Sequence, residues 1–199
     1  MADTYSQMDM HLVFAVKNRE ALILPDFRNP LFKYIFGIIT GKKQKSLAIN
    51  GVSDHIHIFF GMEPSNYIPE FVNVIKVQSS NFINDQKFLK HKFQWQEGYG
   101  IFAHSRSDRS RVINYVINQE IHHRKVPFRE EYQKMLIKMK VDFDPRYLFD
   151  FFWNCANSIP LLRSGKNRSP PHFYRDNAPP ERAKCCVLIT DNQLFISLA

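Results

Sequence analysis

The feature that most constrains this 199-residue chain is the way its apolar residues change period along it. Met10, Leu12, Phe14 and Val16 alternate with His11, Val13, Ala15 and Lys17, the pattern of a strand with one strongly apolar face. Lys45 to Asn50 and His55 to Met62 repeat the two-residue period around a turn at Gly51-Val52-Ser53-Asp54, as in a hairpin. Between and after these runs the spacing becomes helical. One helix is expected with Asn29 as N-cap and Leu31 to Ile39 as its body, and a second from about Ser65 to Asn84. A third starts at Asp108 and runs to about His123, and a fourth spans Phe128 to Lys140 after Pro127. Phe93 to Ser105 reads as extended chain broken at Gly98 and Gly100. Strand, helix, two strands, helix, strand, helix, helix is an α+β order: an antiparallel sheet with helices on one face.

Composition narrows the setting. No run approaches 18 apolar residues, and the start MADTYSQMD lacks a basic-then-apolar leader, so a soluble cytoplasmic protein is expected. The three cysteines, Cys155, Cys185 and Cys186, form no disulfide framework. The net charge is +8, a mild bias toward a polyanion such as nucleic acid. Residues 1–150 hold 21 Lys+Arg against 16 Asp+Glu; the remainder holds all three cysteines and both Pro-Pro pairs. A boundary near Asp150 therefore separates a main domain, 1–150, from an extension, 151–199, expected to be irregular or disordered.

Two short patterns carry chemistry. In Asp54-His55-Ile56-His57, residues two apart share a strand face, so both imidazoles project together and can clamp one divalent cation. The plain alternative is two exposed histidines at the polar positions of an amphipathic strand. On the third helix, Val112, Ile113, Val116, Ile117 and Ile121 cover one arc, with Glu120 unexplained inside it. Tyr115 and Gln119, one turn apart, fall mostly outside that arc. Two imidazoles and the Gln119 carboxamide oxygen leave positions open on Mg²⁺ or Mn²⁺ for phosphate oxygens, and the mixed donors suit Mn²⁺ better. A tyrosine beside such an ion is placed to attack a phosphodiester.

These residues resemble a family. His55-Ile56-His57 looks like the HUH signature (His, bulky apolar, His), and Tyr115-Val116-Ile117-Asn118-Gln119 follows it at the expected place. With His11 to Arg19, Ala48-Ile49-Asn50-Gly51 and Trp95 to Phe102, the chain is similar to the single-tyrosine HUH transposases of minimal bacterial insertion sequences, over roughly residues 5–150. The resemblance implies a ferredoxin-like fold, a homodimer with active sites that can be shared between protomers, and single-stranded DNA hairpins at element ends as partners. It also implies cleavage through a 5′-phosphotyrosine and a free 3′-OH, without ATP. By analogy Tyr115 is the nucleophile, and His55, His57 and Gln119 hold the ion. Two other readings stand beside it: a replication or conjugation nickase on the same platform, and a domesticated single-strand-binding protein without catalysis.

DNA contacts are expected from two basic groups, Lys42, Lys43 and Lys45 after the first helix and Arg106, Arg109 and Arg111 at the start of the third, with Tyr99 and Phe102 as candidates for stacking on bases.

Overall fold

The computed structural model describes residues 5–144, residue 148 and the strands 185–190 and 193–198, the last two by their pairing. The elements are β1 (Asp9–Ala15), α1 (Pro25–Gly41), β2 (Lys45–Gly51), β3 (His55–Gly61), α2 (Ile68–Asp85), β4 (Gly100–His104), α3 (Arg109–Ile117), α4 (Gln119–His123), α5 (Phe128–Lys138), β5 (Cys185–Thr190) and β6 (Gln193–Leu198). The strands form one antiparallel sheet in the order β4-β1-β3-β2-β5-β6. This is the α+β architecture that the alternating periods predict, except that helices cover both faces of the sheet and not one.

Alternation decides which face each strand residue serves. Leu12, Phe14, Val16, Ile56, Ile58 and Phe60 point to one side. There they meet Phe27, Leu31, Phe32, Ile35 and Ile39 of α1 and Phe71, Val72, Ile75 and Ile83 of α2, the main core. The helix bearing Tyr115 packs on the opposite side, with Val112 and Val116 against Leu47, Ala48 and Phe59. α5 covers the rest of that side, laying Phe128 and Leu136 on Val13, Ala15 and Phe102.

Two helices differ from the expected ones, each for a local reason. α1 begins at Pro25, whose fixed φ suits a first helical position, so Pro30 lies inside the helix. The third helix is two pieces. Asn118, at φ −93° and ψ 19°, ends α3 and α4 starts anew at Gln119. Asn50 on β2 donates to the Ile117 carbonyl at 2.6 Å and Asn118 to that of Asn114 at 2.7 Å, so the end of α3 is capped by side chains. The break also accounts for Glu120, which leaves the apolar arc and pairs with Arg28 of α1 at 2.5 Å.

The tail differs in part. Residues 151–184 lie outside the described residues, but β5 and β6, expected to be irregular, pair as a hairpin on the edge of β2, with Ala48 opposite Leu188. Both runs are largely apolar, and the first carries the β-branched Val187, Ile189 and Thr190, a strand composition that the proline-rich stretch before them masks. Among the described residues no helix is long and apolar enough to cross a membrane.

Candidate metal and nucleophile site

The site lies between the sheet and α3–α5. His55 and His57 share a face of β3, as the spacing predicts, yet neither is exposed: both are 0% accessible, roofed by the helices. The plain reading of two surface imidazoles is therefore excluded. Cross-strand geometry adds His11, on the same face of neighbouring β1, which lies 3.0 Å from His57 between Nε2 and Nδ1.

Each histidine has a partner behind it. Asp54 accepts from His55 Nδ1 at 2.7 Å and is itself held by the Arg19 guanidinium. Burial raises the Asp54 carboxyl, but His55 and Arg19 outweigh it and keep it below the ordinary range. Burial lowers His55 to about 3 against the opposing pull of Asp54, so the imidazole is neutral, the form that ligates metal.

Two residues not singled out in the sequence complete the group. His123, on α4, brings Nε2 to 2.9 Å from His55 Nε2. Glu131, on the first turn of α5 and 3% exposed, places Oε2 3.0 Å from His123 Nε2, 3.6 Å from His57 Nε2 and 3.8 Å from His55 Nε2. One ligand atom from each of the four lies within 4.8 Å of all the others. His123 had a signal, being four residues past Gln119 and eight past Tyr115 on a helical period. Glu131 had none, because Glu130-Glu131 at a helix start is what the helix dipole alone favours.

Tyr115 is half-buried, and its hydroxyl donates to Glu131 Oε1, the carboxylate oxygen that also lies 3.4 Å from His122 Nε2. Its ring centroid is 6.0 Å from that of His57 and of His11. Burial, then the charge and hydrogen bond of Glu131, push the phenol above its ordinary value. Gln119, fully buried, donates from Nε2 to the same Glu131 oxygen at 3.2 Å. The four sequence-predicted residues thus meet within one chain.

Buried acceptors without donors mark where a cation fits: His57 Nε2, Gln119 Oε1 and Glu131 Oε2 all lack a hydrogen bond. A space of about 320 Å³ opens beside Tyr115, lined also by Asn118, Ile121, His122, Lys125 and Val126.

The basic residues are less uniform. Arg109 grips buried Asp9 at 2.8 and 2.6 Å, and Arg111 pairs with Asp108 at 2.7 Å, so the Arg109 fork is committed within the fold. Lys42, Lys43, Lys45 and Arg106 are exposed. They gather at the Gly61 end of β3, where Lys45 and Asp9 both pair with Gly61 and Asp9 with His104. That end is about 20 Å along the strand from His55. Phe102 is core, not a stacking platform.

The chain matches the family described as "Transposase IS200 like" over residues 4–119, more than half its length. It is 24% identical over 119 residues to the ISDra2 transposase TnpA of Deinococcus radiodurans, covering 57% of this chain and 84% of that one. A crystal structure of a transposase-type protein from Deinococcus radiodurans R1 superposes with a TM-score of 0.50 at 22% identity, over 60% of this chain and 95% of the other. A REP-associated tyrosine transposase bound to a REP hairpin gives a TM-score of 0.48 at 16% identity, over 62% and 73%.

Proposed function

Since the chain belongs to the IS200-like transposase family, we propose that it cleaves and rejoins single-stranded DNA at hairpin-bearing element ends through a phosphotyrosine on Tyr115. The observation that carries this is the shared carboxylate: Glu131 accepts the Tyr115 hydroxyl with one oxygen and faces His57 with the other at 3.6 Å. Nucleophile and metal pocket are therefore adjacent, within one chain.

The raised phenol means Tyr115 attacks as it loses its proton, not as a standing phenolate. Its oxygen forms a bond to phosphorus and its proton goes toward Glu131 Oε1. The 3′ oxygen of the neighbouring nucleotide departs and leaves a 5′-phosphotyrosine. Reversal by a second 3′-OH rejoins strands without ATP. His55, His57 and Gln119 fit a divalent ion, Mg²⁺ or Mn²⁺, whose chemistry when bound is to polarise the phosphate and neutralise its charge. The reading takes residues 1–150 as the transposase domain and 151–199 as an extension to it. It also takes a homodimer acting in the cytoplasm, and places DNA backbone contacts on Lys42, Lys43, Lys45, Arg106 and the exposed arm of Arg111.

Incubation with single-stranded hairpin DNA and Mn²⁺ should yield a covalent adduct on a denaturing gel, lost in Tyr115→Phe and with EDTA. An adduct that survives Tyr115→Phe would overturn the assignment.

A further inference from the structure

We infer that His123 and Glu131 are ligands of the same cation as His55 and His57, and that this set of three imidazoles and one carboxylate takes Co²⁺ or Mn²⁺ in strong preference to Mg²⁺. The inference deepens the proposed reading of this pocket. It concerns residues past Gln119, beyond the segment shared with the family.

Asp54, paired with the Arg19 guanidinium, accepts the 2.7 Å bond, so its hydrogen sits on His55 Nδ1. The Val126 carbonyl also only accepts, so the hydrogen of its 2.9 Å contact sits on His123 Nδ1. In their neutral forms both rings then carry a bare lone pair on Nε2. Those two nitrogens are 2.9 Å apart, a repulsive contact unless a cation lies between them. A proton bridges only two atoms. Here His57 Nε2 and Glu131 Oε2, both buried without a hydrogen bond, lie in the same cluster, so four acceptors converge.

The spacing agrees. Ligands about 2.1 Å from one ion lie about 3.0 Å apart at right angles and about 3.4 Å apart at tetrahedral angles. The contacts here run 2.9, 3.0, 3.6 and 3.8 Å. The outer partners agree too. Each of the three rings is oriented through Nδ1, by Asp54, by His11 and by the Val126 carbonyl, the arrangement that aims metal-binding histidines. His123 is as well aimed as the other two. Mg²⁺ keeps oxygen and water around it, so three imidazoles disfavour it, whereas affinity for nitrogen donors rises from Mn²⁺ to Co²⁺.

The test uses the full-length, metal-free protein without DNA, titrated with Co²⁺, Mn²⁺ and Mg²⁺ by calorimetry. One site is expected, with Co²⁺ tighter than Mn²⁺ and Mg²⁺ far weaker. Glu131→Gln and His123→Gln, checked for folding by circular dichroism, should each lose more than the roughly 10–100-fold that an outer partner costs. Should either variant fail to fold, the Co²⁺-loaded wild type answers alone: its proton NMR spectrum should show three hyperfine-shifted imidazole N–H signals and shifted Glu131 methylene protons. Two N–H signals, unshifted Glu131, or equal affinity for Mg²⁺ and Mn²⁺ would overturn the inference. Because no DNA is present, metal binding without adduct formation would count against the transposase reading alone.

Discussion

His11 Nε2 lies 3.0 Å from His57 Nδ1, with both rings buried on one sheet face and stacked at 5.1 Å between centroids. Burial, then neighbouring His57 and His104, lower His11 well below its ordinary value, so it is a neutral partner that fixes the His57 ring. Replacing His11 with Ala should weaken Co²⁺ binding about 10–100-fold while the native circular dichroism spectrum is retained. Calorimetry decides it, and unchanged affinity would assign His11 to packing alone.

Asp9 and Arg109 make a different kind of pair. Asp9 is 1% exposed and receives both arms of the guanidinium. Arg109→Ala leaves a buried carboxylate alone, at a cost of about 3–5 kcal/mol in denaturant unfolding. Arg106→Ala, at an exposed position, should change stability by under about 0.5 kcal/mol. A hairpin-binding loss with Arg106→Ala but full stability would separate the DNA-facing residue from the structural one.

Acid should destabilise the metal-free protein well before its carboxylates titrate. His55 is lowered to about 3 and His11 is also lowered, both from an ordinary 6.5. Below about 6.5 the unfolded chain therefore takes up protons that the native chain refuses. Their contribution is present in full above about pH 6.5 and is lost as pH falls toward 3, at up to about 1.4 kcal/mol per pH unit for each ring. Urea midpoints measured from pH 8 to 5 should decline steadily below 6.5. A flat profile across that window would show the rings to be charged in the native state.

Gly51 sits where β2 turns toward β3. A Cβ there would stand 2.4 Å from the His55 carbonyl oxygen and 2.8 Å from the Ile56 Cα, both backbone atoms that cannot step aside. Gly51→Ala should cost about 1–3 kcal/mol and displace His55, weakening metal binding in the same variant. Stability and affinity falling together is the expected signature; a loss of neither would mean the hairpin has room to shift.

Much of this was legible in the chain, and the part that was not has physical causes. Two-residue alternation placed His55 and His57 on one face, and the same rule applied to β1 places His11 beside them. Helical spacing brought Tyr115 and Gln119 to one side. What periodicity does not carry is the partner of a face. That α3–α5 would bury the histidines, and that α5 would deliver Glu131 to them, depends on how helices cross the sheet. The interruption at Asn118 was equally hidden, since it rests on the Asn50 side chain reaching from β2 to the Ile117 carbonyl. Pro30 drew the start of α1 too late because a proline within a helix and one at its first turn look alike in sequence.

The break at Asn118 divides labour along what would otherwise be one helix. α3 is seated on the sheet by Val112 and Val116 and capped from β2, so the height of Tyr115 above the strands is set before Asn118. His123 and Glu131 come after it, on segments with their own contacts. Substitution at His123 can therefore alter the pocket without moving the stretch of α3 backbone that carries Tyr115. Tyr115 and the imidazole that α4 brings to the histidine cluster are in this sense separately heritable.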